Sequence, residues 1–366
     1  MKLECEKELI VKTIQTVEKA VGKNLTLPIL SGILLIAKKN TLLVRATNLD
    51  IGVEIEIPVK IEKEGQVVIP GSVFSGLLSN IQNDKKITLE EKDGNIIVNA
   101  SGNKTLIKCF PADEFPTLPI VSNGDGFSIP TQTLVDGIKS VVYSSSLSDV
   151  KPELSSVYIY PNEQDVVFVA TDSFRLAEKK QNIKNTKDWG GIIIPFKNAL
   201  DITRVFDTLS GDIDVRFNKN QIVFSLNNIY FTSRIIDGTF PDYKQIIPKE
   251  YKTNAIVLKQ DIMNVLKIGN IFSGKFNQAV MEIDPSKKVF DIEIKNNDIG
   301  ENDAKLDATV EGDDVKISFN YKYMLDCLQS IHADSVSIEC GGSNMPIVIK
   351  GVGDNTFLYL VMPMNR

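Results

Sequence analysis

Val68-Ile69-Pro70 opens an apolar segment with Val73, Phe74, Leu77, Leu78 and Ile81 at helical spacing, and Ile193-Ile194-Pro195 opens another 125 residues later with Phe196, Leu200 and Val205. Phe319-Asn320-Tyr321 opens a third, with Met324, Leu325, Leu328 and Ile331. An earlier helix precedes each of these: Ile10, Ile14, Val17 and Val21; then Leu134, Ile138, Val141 and Val142; then Ile262, Leu266 and Gly269 after Leu258-Lys259-Gln260-Asp261. Steps of three and four place each set on one helical face. Ala46-Thr47-Asn48 returns as Ala170-Thr171-Asp172 and more loosely as Lys295-Asn296-Asn297, and Phe115-Pro116 returns as Phe240-Pro241.

Between the helices lie short alternating or β-branched runs, among them Thr41-Leu42-Leu43-Val44, Val53 to Ile57, Ile87-Thr88-Leu89, Ile96-Ile97-Val98 and Val166 to Val169. These read as strands. The unit is helix, several strands, helix, several strands over roughly 120 residues, a normal domain size and too long for a solenoid. The expectation is an α+β chain of three similar domains, 1–122, 127–248 and 254–366, with linkers at Pro119 to Pro130 and Pro248 to Asn254. Any two α+β domains share a generic pattern. What carries the repeat is three landmarks agreeing on a spacing of 124 to 125 between the first two units; the third unit is more diverged.

The composition narrows the function classes. Apolar content of 43% and charged content of 24% fit a folded chain, and the net charge of −6 excludes a generally basic DNA-coating protein without excluding a local basic stripe. The opening MKLECEKELIVKTIQ has no signal-peptide pattern, and no run could span a bilayer, so a cytoplasmic location without membrane association is expected. An exported adhesion or scaffold protein would need the missing signal. Cys5, Cys109, Cys327 and Cys340 are scattered, which reads as reduced and mostly buried.

One histidine, His332, leaves no material for histidine-based zinc sites, Ser-His-Asp triads or Cys-His pairs; placed after an apolar helix, it reads as structural. Gly269-Asn270-Ile271-Phe272-Ser273-Gly274-Lys275 fits G-x-x-x-x-G-K, but Phe276 stands where a phosphate loop needs Ser or Thr, and the segment closes a helix instead of opening one. Gly351-Val352-Gly353 reads as a hairpin turn, and Glu90-Glu91 and Asp113-Glu114 as solvated acids in polar loops. No catalytic residue, cofactor or metal is expected. An enzyme of unknown chemistry on a repeated scaffold is the competing class, and these absences count against it.

The local motifs then carry a resemblance. Ala170-Thr171-Asp172-Ser173-Phe174-Arg175-Leu176-Ala177, Asp237-Gly238-Thr239-Phe240-Pro241-Asp242-Tyr243, Tyr359-Leu360-Val361-Met362-Pro363-Met364 and Leu27-Pro28-Ile29-Leu30 are closely similar to motifs of the bacterial DNA sliding clamps, the β subunit of the replicative DNA polymerase. The likeness runs from Met1 to Arg366. It implies three clamp domains per chain, helices lining a hole with sheets outside, and a head-to-tail homodimeric ring around duplex DNA. It further implies a processivity factor, not an enzyme, that docks DNA polymerases, the clamp loader and repair proteins through short Gln/apolar peptides.

Residue by residue, the resemblance places that peptide groove at Leu154, Thr171, Ser173, Phe174, Arg175 and Leu176, at Pro241, Gln245, Ile246 and Pro346, and at Leu360, Val361, Met362, Pro363 and Met364. Aliphatic walls and adaptable Met side chains suit varied peptides. Read alone, Met362 and Met364 would simply complete the core of the last strand. Phe174 stands where the family often has His, and Gln245 where it often has Arg.

A ring that slides needs even, sequence-independent attraction for phosphates. Lys12, Lys19 and Lys23 lie opposite the first apolar stripe, and Lys139, Lys197, Arg204, Lys259, Lys267 and Lys322 are comparable; singly, each reads equally well as a solubilising lysine or arginine. The resemblance adds DNA contacts at Lys23-Asn24 and from Ser148 to Lys151. It sets ring closure at Lys104 and Ile107 against Ile271 and Phe272, whose alternative is a core role.

Overall fold

The computed structural model describes residues 1–22, 26–82, 84–100, 102–121, 124–183 and 189–364. The first repeat runs β1 (Lys2–Glu6), α1 (Lys7–Val17), β2 (Gly32–Lys38), β3 (Thr41–Thr47), β4 (Ile51–Pro58), β5 (Lys60–Lys63), β6 (Gly65–Pro70), α2 (Gly71–Asn80), β7 (Lys86–Lys92), β8 (Asn95–Ala100) and β9 (Asn103–Lys108). The second runs β10 (Asp125–Pro130), α3 (Thr131–Val141), β11 (Ser156–Asn162), β12 (Asp165–Thr171), β13 (Arg175–Asn182), β14 (Ile192–Pro195), α4 (Phe196–Phe206), β15 (Asp212–Phe217), β16 (Gln221–Leu226) and β17 (Ile229–Arg234). The third runs β18 (Thr253–Leu258), α5 (Lys259–Gly269), β19 (Gln278–Asp284), β20 (Val289–Asn296), β21 (Gly300–Lys305), β22 (Ala308–Gly312), β23 (Val315–Asn320), α6 (Tyr321–Leu328), β24 (Ser335–Cys340), β25 (Ile347–Gly351) and β26 (Phe357–Val361).

The repeated motif marks a strand-to-helix corner each time. Pro70 and Pro195 end β6 and β14, and α2 and α4 begin at the next residue. Proline fixes its own φ and lacks an N–H, so it stops a ladder and can sit at a helix start without loss. The third repeat reaches the same corner by other chemistry: Asn320 caps α6, its side chain accepting from the Lys322 amide at 3.0 Å. At this corner the third copy therefore lacks the proline that marks the first two.

Several expected boundaries and faces shift. The first helix ends at Val17, short of Val21. In α2 Phe74 and Leu78 are buried but Val73 is exposed. In α4 the buried face is Asn198, Ala199, Ile202, Thr203, Val205 and Phe206, leaving Phe196 and Leu200 half-buried; Asn198 can face inward because its amide bonds Ser233 Oγ at 3.0 Å. The stretch assigned to a linker contains β10, whose ladder with β15 supplies its backbone partners, and β18 likewise begins at Thr253 inside the second assigned linker. Glu90 and Glu91 lie on β7, not in a loop, where Glu91 accepts from the Gly94 amide at 3.2 Å.

Two compact units emerge, Met1–Val135 with Lys197–Asp237, and Asp136–Phe196 with Gly238–Arg366. The first holds a sheet ordered β5-β1-β7-β8-β9 and another ordered β10-β15-β16-β17-β4-β3-β2-β6. The second holds β14-β11-β12-β13-β26-β25-β24-β18-β22 and β21-β20-β19-β23. The division falls inside the second repeat for a simple reason. Antiparallel pairing of β17 with β4 welds one half of that repeat to the first, and pairing of β13 with β26 welds the other half to the third.

Helices pack closely on these sheets. A Cβ on Gly137 of α3 would come within 2.4 Å of the Phe168 ring on β12, and one on Gly269 of α5 within 2.2 Å of Ile294 on β20. At Gly137 three ring atoms stand within 2.6 Å and only hydrogen fits, whereas at Gly269 the near atom is the end of the Ile294 side chain, which would have to turn aside.

Candidate functional site

The Thr171-Asp172-Ser173-Phe174-Arg175 turn joins β12 to β13 and is held by its own side chains. Thr171 Oγ1 donates to the Arg175 carbonyl at 2.7 Å and accepts from the Ser173 amide at 3.2 Å. Asp172 Oδ1 accepts from the amides of Phe174 and Arg175, each at 2.9 Å. Ser173 adopts φ +77, a left-handed conformation that costs on the order of 1 kcal/mol for a residue other than glycine. The turn tolerates it because these bonds over-determine it. Its outcome is a Phe174 side chain held 63% exposed.

The chain's last described residues lie against this turn. Arg175 pairs with Val361 across the β13–β26 ladder, Met362 donates its amide to the Phe174 carbonyl at 2.8 Å, and Met364 donates to the Ser318 carbonyl at 2.7 Å. Met362, Pro363 and Met364 are half-buried, so this segment is bonded in place with its side chains partly available. Leu176, Leu360 and Val361 are fully buried, and Thr171 and Pro346 are buried too. These five were expected as groove lining. They are buried where Leu176 lies on β13 and Leu360 and Val361 lie on β26, interior strands of the nine-stranded sheet, while Thr171 ends β12 and Pro346 directly precedes β25.

Arg175 is fixed from three sides. Its Nε donates to Asp172 Oδ2 at 3.0 Å, its Nη1 to Asp326 Oδ2 at 2.6 Å, and its guanidinium carbon lies 4.3 Å from the centre of the Tyr323 ring. Burial opposes its charge, but Tyr359, Asp326 and Asp172 outweigh that and raise its pKa further. Tyr323 and Asp326 were not foreseen. Their helical position in α6, 148 and 151 residues from Arg175, gives no local signal.

The Phe240-Pro241 motif is clamped to the same sheet by an aromatic column. Phe240 stacks on Tyr158 at 4.8 Å, Tyr158 on Tyr160 at 5.0 Å, and Phe240 meets the Tyr243 ring edge-on at 6.4 Å. The Tyr243 hydroxyl donates to the buried Glu178 carboxylate of β13 and contacts the Tyr160 hydroxyl at 2.7 Å. This anchors the turn Tyr243–Ile246, which presents exposed Gln245 and Ile246 beside exposed Pro241. The Gln245 amide bonds Asp242 at 2.8 Å. Leu154 is half-buried before β11, and its backbone bonds go to Lys151 and Ser146, not to the Thr171–Arg175 turn.

The basic residues differ in availability. Lys12, Lys267 and Lys322 are exposed, as are Lys139 and Lys197, and Ser148 and Lys151 stand on an exposed loop with Leu147 and Val150. Lys19 Nζ is engaged with the Arg204 carbonyl at 2.5 Å, and burial lowers its pKa; Arg204 pairs with Asp201 at 2.8 Å. Lys259 is half-buried with its Nζ on the Ile331 carbonyl at 2.7 Å, which ties the start of α5 to the segment after α6. Lys23, Asn24 and the terminal Asn365 and Arg366 lie outside the described residues.

At the sheet edges, Lys104 is exposed on β9 but Ile107 is buried, and its neighbour Leu106 is the one 58% exposed. Ile271 is exposed and Phe272 half-buried after α5; exposed Phe276 follows four residues on, and exposed Ile299 precedes β21. Among the described residues no cluster of three potential metal ligands occurs, and no helix is long and apolar enough to cross a membrane.

Three family models match in succession: the DNA polymerase III beta subunit N-terminal domain over residues 1–119, its central domain over 128–242, and its C-terminal domain over 244–365. The beta sliding clamp of Staphylococcus aureus is 28% identical over all of this chain and 99% of that protein. The crystal structure of the Bacillus subtilis DNA polymerase sliding clamp superposes with a TM-score of 0.94 at 27% identity, covering 100% of this chain and 99% of that one. The DNA polymerase III beta subunit of Thermotoga maritima gives 0.94 at 26% identity, with the same coverage. With three clamp repeats end to end, matched along practically the whole chain, the protein belongs to the DNA polymerase III beta subunit family, the sliding clamps.

Proposed function

We propose that two copies of this chain join head to tail into a ring around duplex DNA, with domains at 1–122, 127–248 and 254–366, and that the ring tethers DNA polymerases. The observation that carries this is an unfilled place in a repeated pattern. Inside the chain, β17 pairs with β4 and β26 pairs with β13, so the last strand of one repeat joins the third sheet strand of its neighbour. The two remaining strands of these kinds, β9 and β21, are edges. An edge with free N–H and C=O groups invites pairing with another chain. β9 of one copy and β21 of the next complete the series, and heterologous contacts of this sort close into a ring.

Chemistry supports the join. β9 carries Lys104 and Lys108, β21 carries Glu301 and Asp303, and Leu106 on one side and Ile271, Phe272, Phe276 and Ile299 on the other supply apolar surface. Exposed Lys12, Lys139, Lys197, Lys267 and Lys322 would contact DNA phosphates without reading bases. The chain then acts by binding alone, in the cytoplasm, with no chemical step of its own.

The groove formed by Phe174, Arg175, Met362, Pro363 and Met364, with Gln245 and Ile246, would hold short Gln/apolar peptides of DNA polymerases, the clamp loader and repair proteins. Sizing and a topology assay test the ring: a dimer retained on circular DNA and lost on linearisation is expected. A stable 40.6 kDa monomer held equally on linear DNA refutes it. Removing Met362 to Arg366 should abolish peptide binding and spare the dimer; loss of the dimer would make the tail a core element.

A further inference from the structure

We propose that Asp326 is a positioning residue of the groove, holding the Arg175 guanidinium against the Tyr323 ring before any peptide arrives. The inference rests on the groove reading above and extends it to a residue of α6. Asp172 alone cannot set the guanidinium. Its Oδ1 is committed to two turn amides and its Oδ2 to Nε, leaving Nη1 to Asp326 at 2.6 Å. A long arginine side chain loses rotamer freedom when it is ordered; if it is ordered in advance, a ligand does not bear that cost. A charge-assisted bond from a planar guanidinium also fixes direction, which a lone contact with a ring does not.

The placement of Asp326 separates this role from packing. Its side chain is 40% exposed, against 12% for Arg175, and it borders a cavity of about 300 Å³ shared with Lys139, Tyr143 and His332. Shortening it therefore leaves no void in the core.

The test measures binding of a labelled synthetic peptide carrying one glutamine, two leucines and a phenylalanine to the full-length chain. Asp326→Ala should weaken binding about tenfold, as expected for loss of a charge-assisted bond. In an Arg175→Ala background the same change should alter binding less than twofold. Asp326→Asn, which keeps the shape and one acceptor oxygen, should fall between and covers the case in which the alanine variant folds poorly. Equal losses with and without Arg175, or no loss at all, would overturn the proposal while leaving the groove in place. Failure of the unsubstituted chain to bind the peptide would overturn the groove reading itself, and this inference with it.

Discussion

Replacing Tyr243 by Phe removes one oxygen from the anchor beneath the Pro241–Ile246 segment. Tyr243 is 5% exposed and Glu178 6% exposed. Since Tyr243 donates to Glu178, the Tyr160 hydroxyl at 2.7 Å must donate to Tyr243. Burial and the adjacent Glu178 push the Tyr243 pKa far above the ordinary value, so the phenol stays a donor at any workable pH. The second oxygen of Glu178 has Lys180 Nζ at 3.4 Å, and that lysine is 40% exposed and screened by water. Losing a hydrogen bond to a buried charged acceptor costs about 1.5–3 kcal/mol. The ring contacts with Phe240 and the sheet survive in phenylalanine, so no packing loss adds to this.

Taking about 2 kcal/mol, and a C-terminal unit of about 190 residues, the transition of that unit should fall by about 4–8 °C. Calorimetry should show the transition of the Met1–Val135 unit unmoved, since two units need not melt together. Tyr160→Phe is the control: it removes a neutral bond worth about 1 kcal/mol and should shift the transition roughly half as far. A shift under about 1 °C for Tyr243→Phe, or equal shifts for both variants, would refute the claim that the Glu178 bond anchors the segment. Peptide affinity should weaken as well, because Gln245 and Ile246 ride on the turn that Tyr243 starts.

The thiols of Cys5 and Cys340 are pushed up to about 12 and that of Cys109 to about 11, in each case chiefly by burial, and Cys327 is buried completely and raised well above its ordinary value. Iodoacetamide at pH 8 should therefore leave the native chain largely unmodified by mass spectrometry, with Cys109 reacting first and all four reacting after denaturation; rapid native alkylation of Cys5 or Cys327 would contradict this. Bonds from Lys287 and Ser286 hold the Asp284 carboxyl down at about 2. A lowered folded-state pKa means its contribution to stability is present above the ordinary value of 3.8 and is lost as pH falls through about 2. An NMR titration should find that midpoint, and the Ser286→Ala, Lys287→Ala pair should return it towards about 3.9.

The three-fold repeat was legible because it is written in periods: helix faces at steps of three and four, and a strand-ending residue before each second helix. Faces within strands were less so. Leu106 and Ile107 are adjacent and both apolar, so alternation along β9 cannot say which points outward, and a choice wrong by one residue reverses the side chain's face. Leu176, Leu360 and Val361 were hard to place for a related reason: strands inside a nine-stranded sheet bury residues on both faces, and a sequence motif does not distinguish residues that line a surface from residues beneath it. The turn bonds of Asp172 follow from short spacing, but its partner's second anchor does not. Arg175 meets Asp326 only because the β13–β26 ladder brings the second and third repeats edge to edge, and Tyr243 meets Glu178 only because Phe240 stacks on the sheet. Both charged contacts are products of the assembled sheet, so the shape of the proposed groove depends on the ladder at least as much as on the residues proposed to line it. Substitutions in β13 or β26 far from any peptide should therefore alter its affinity.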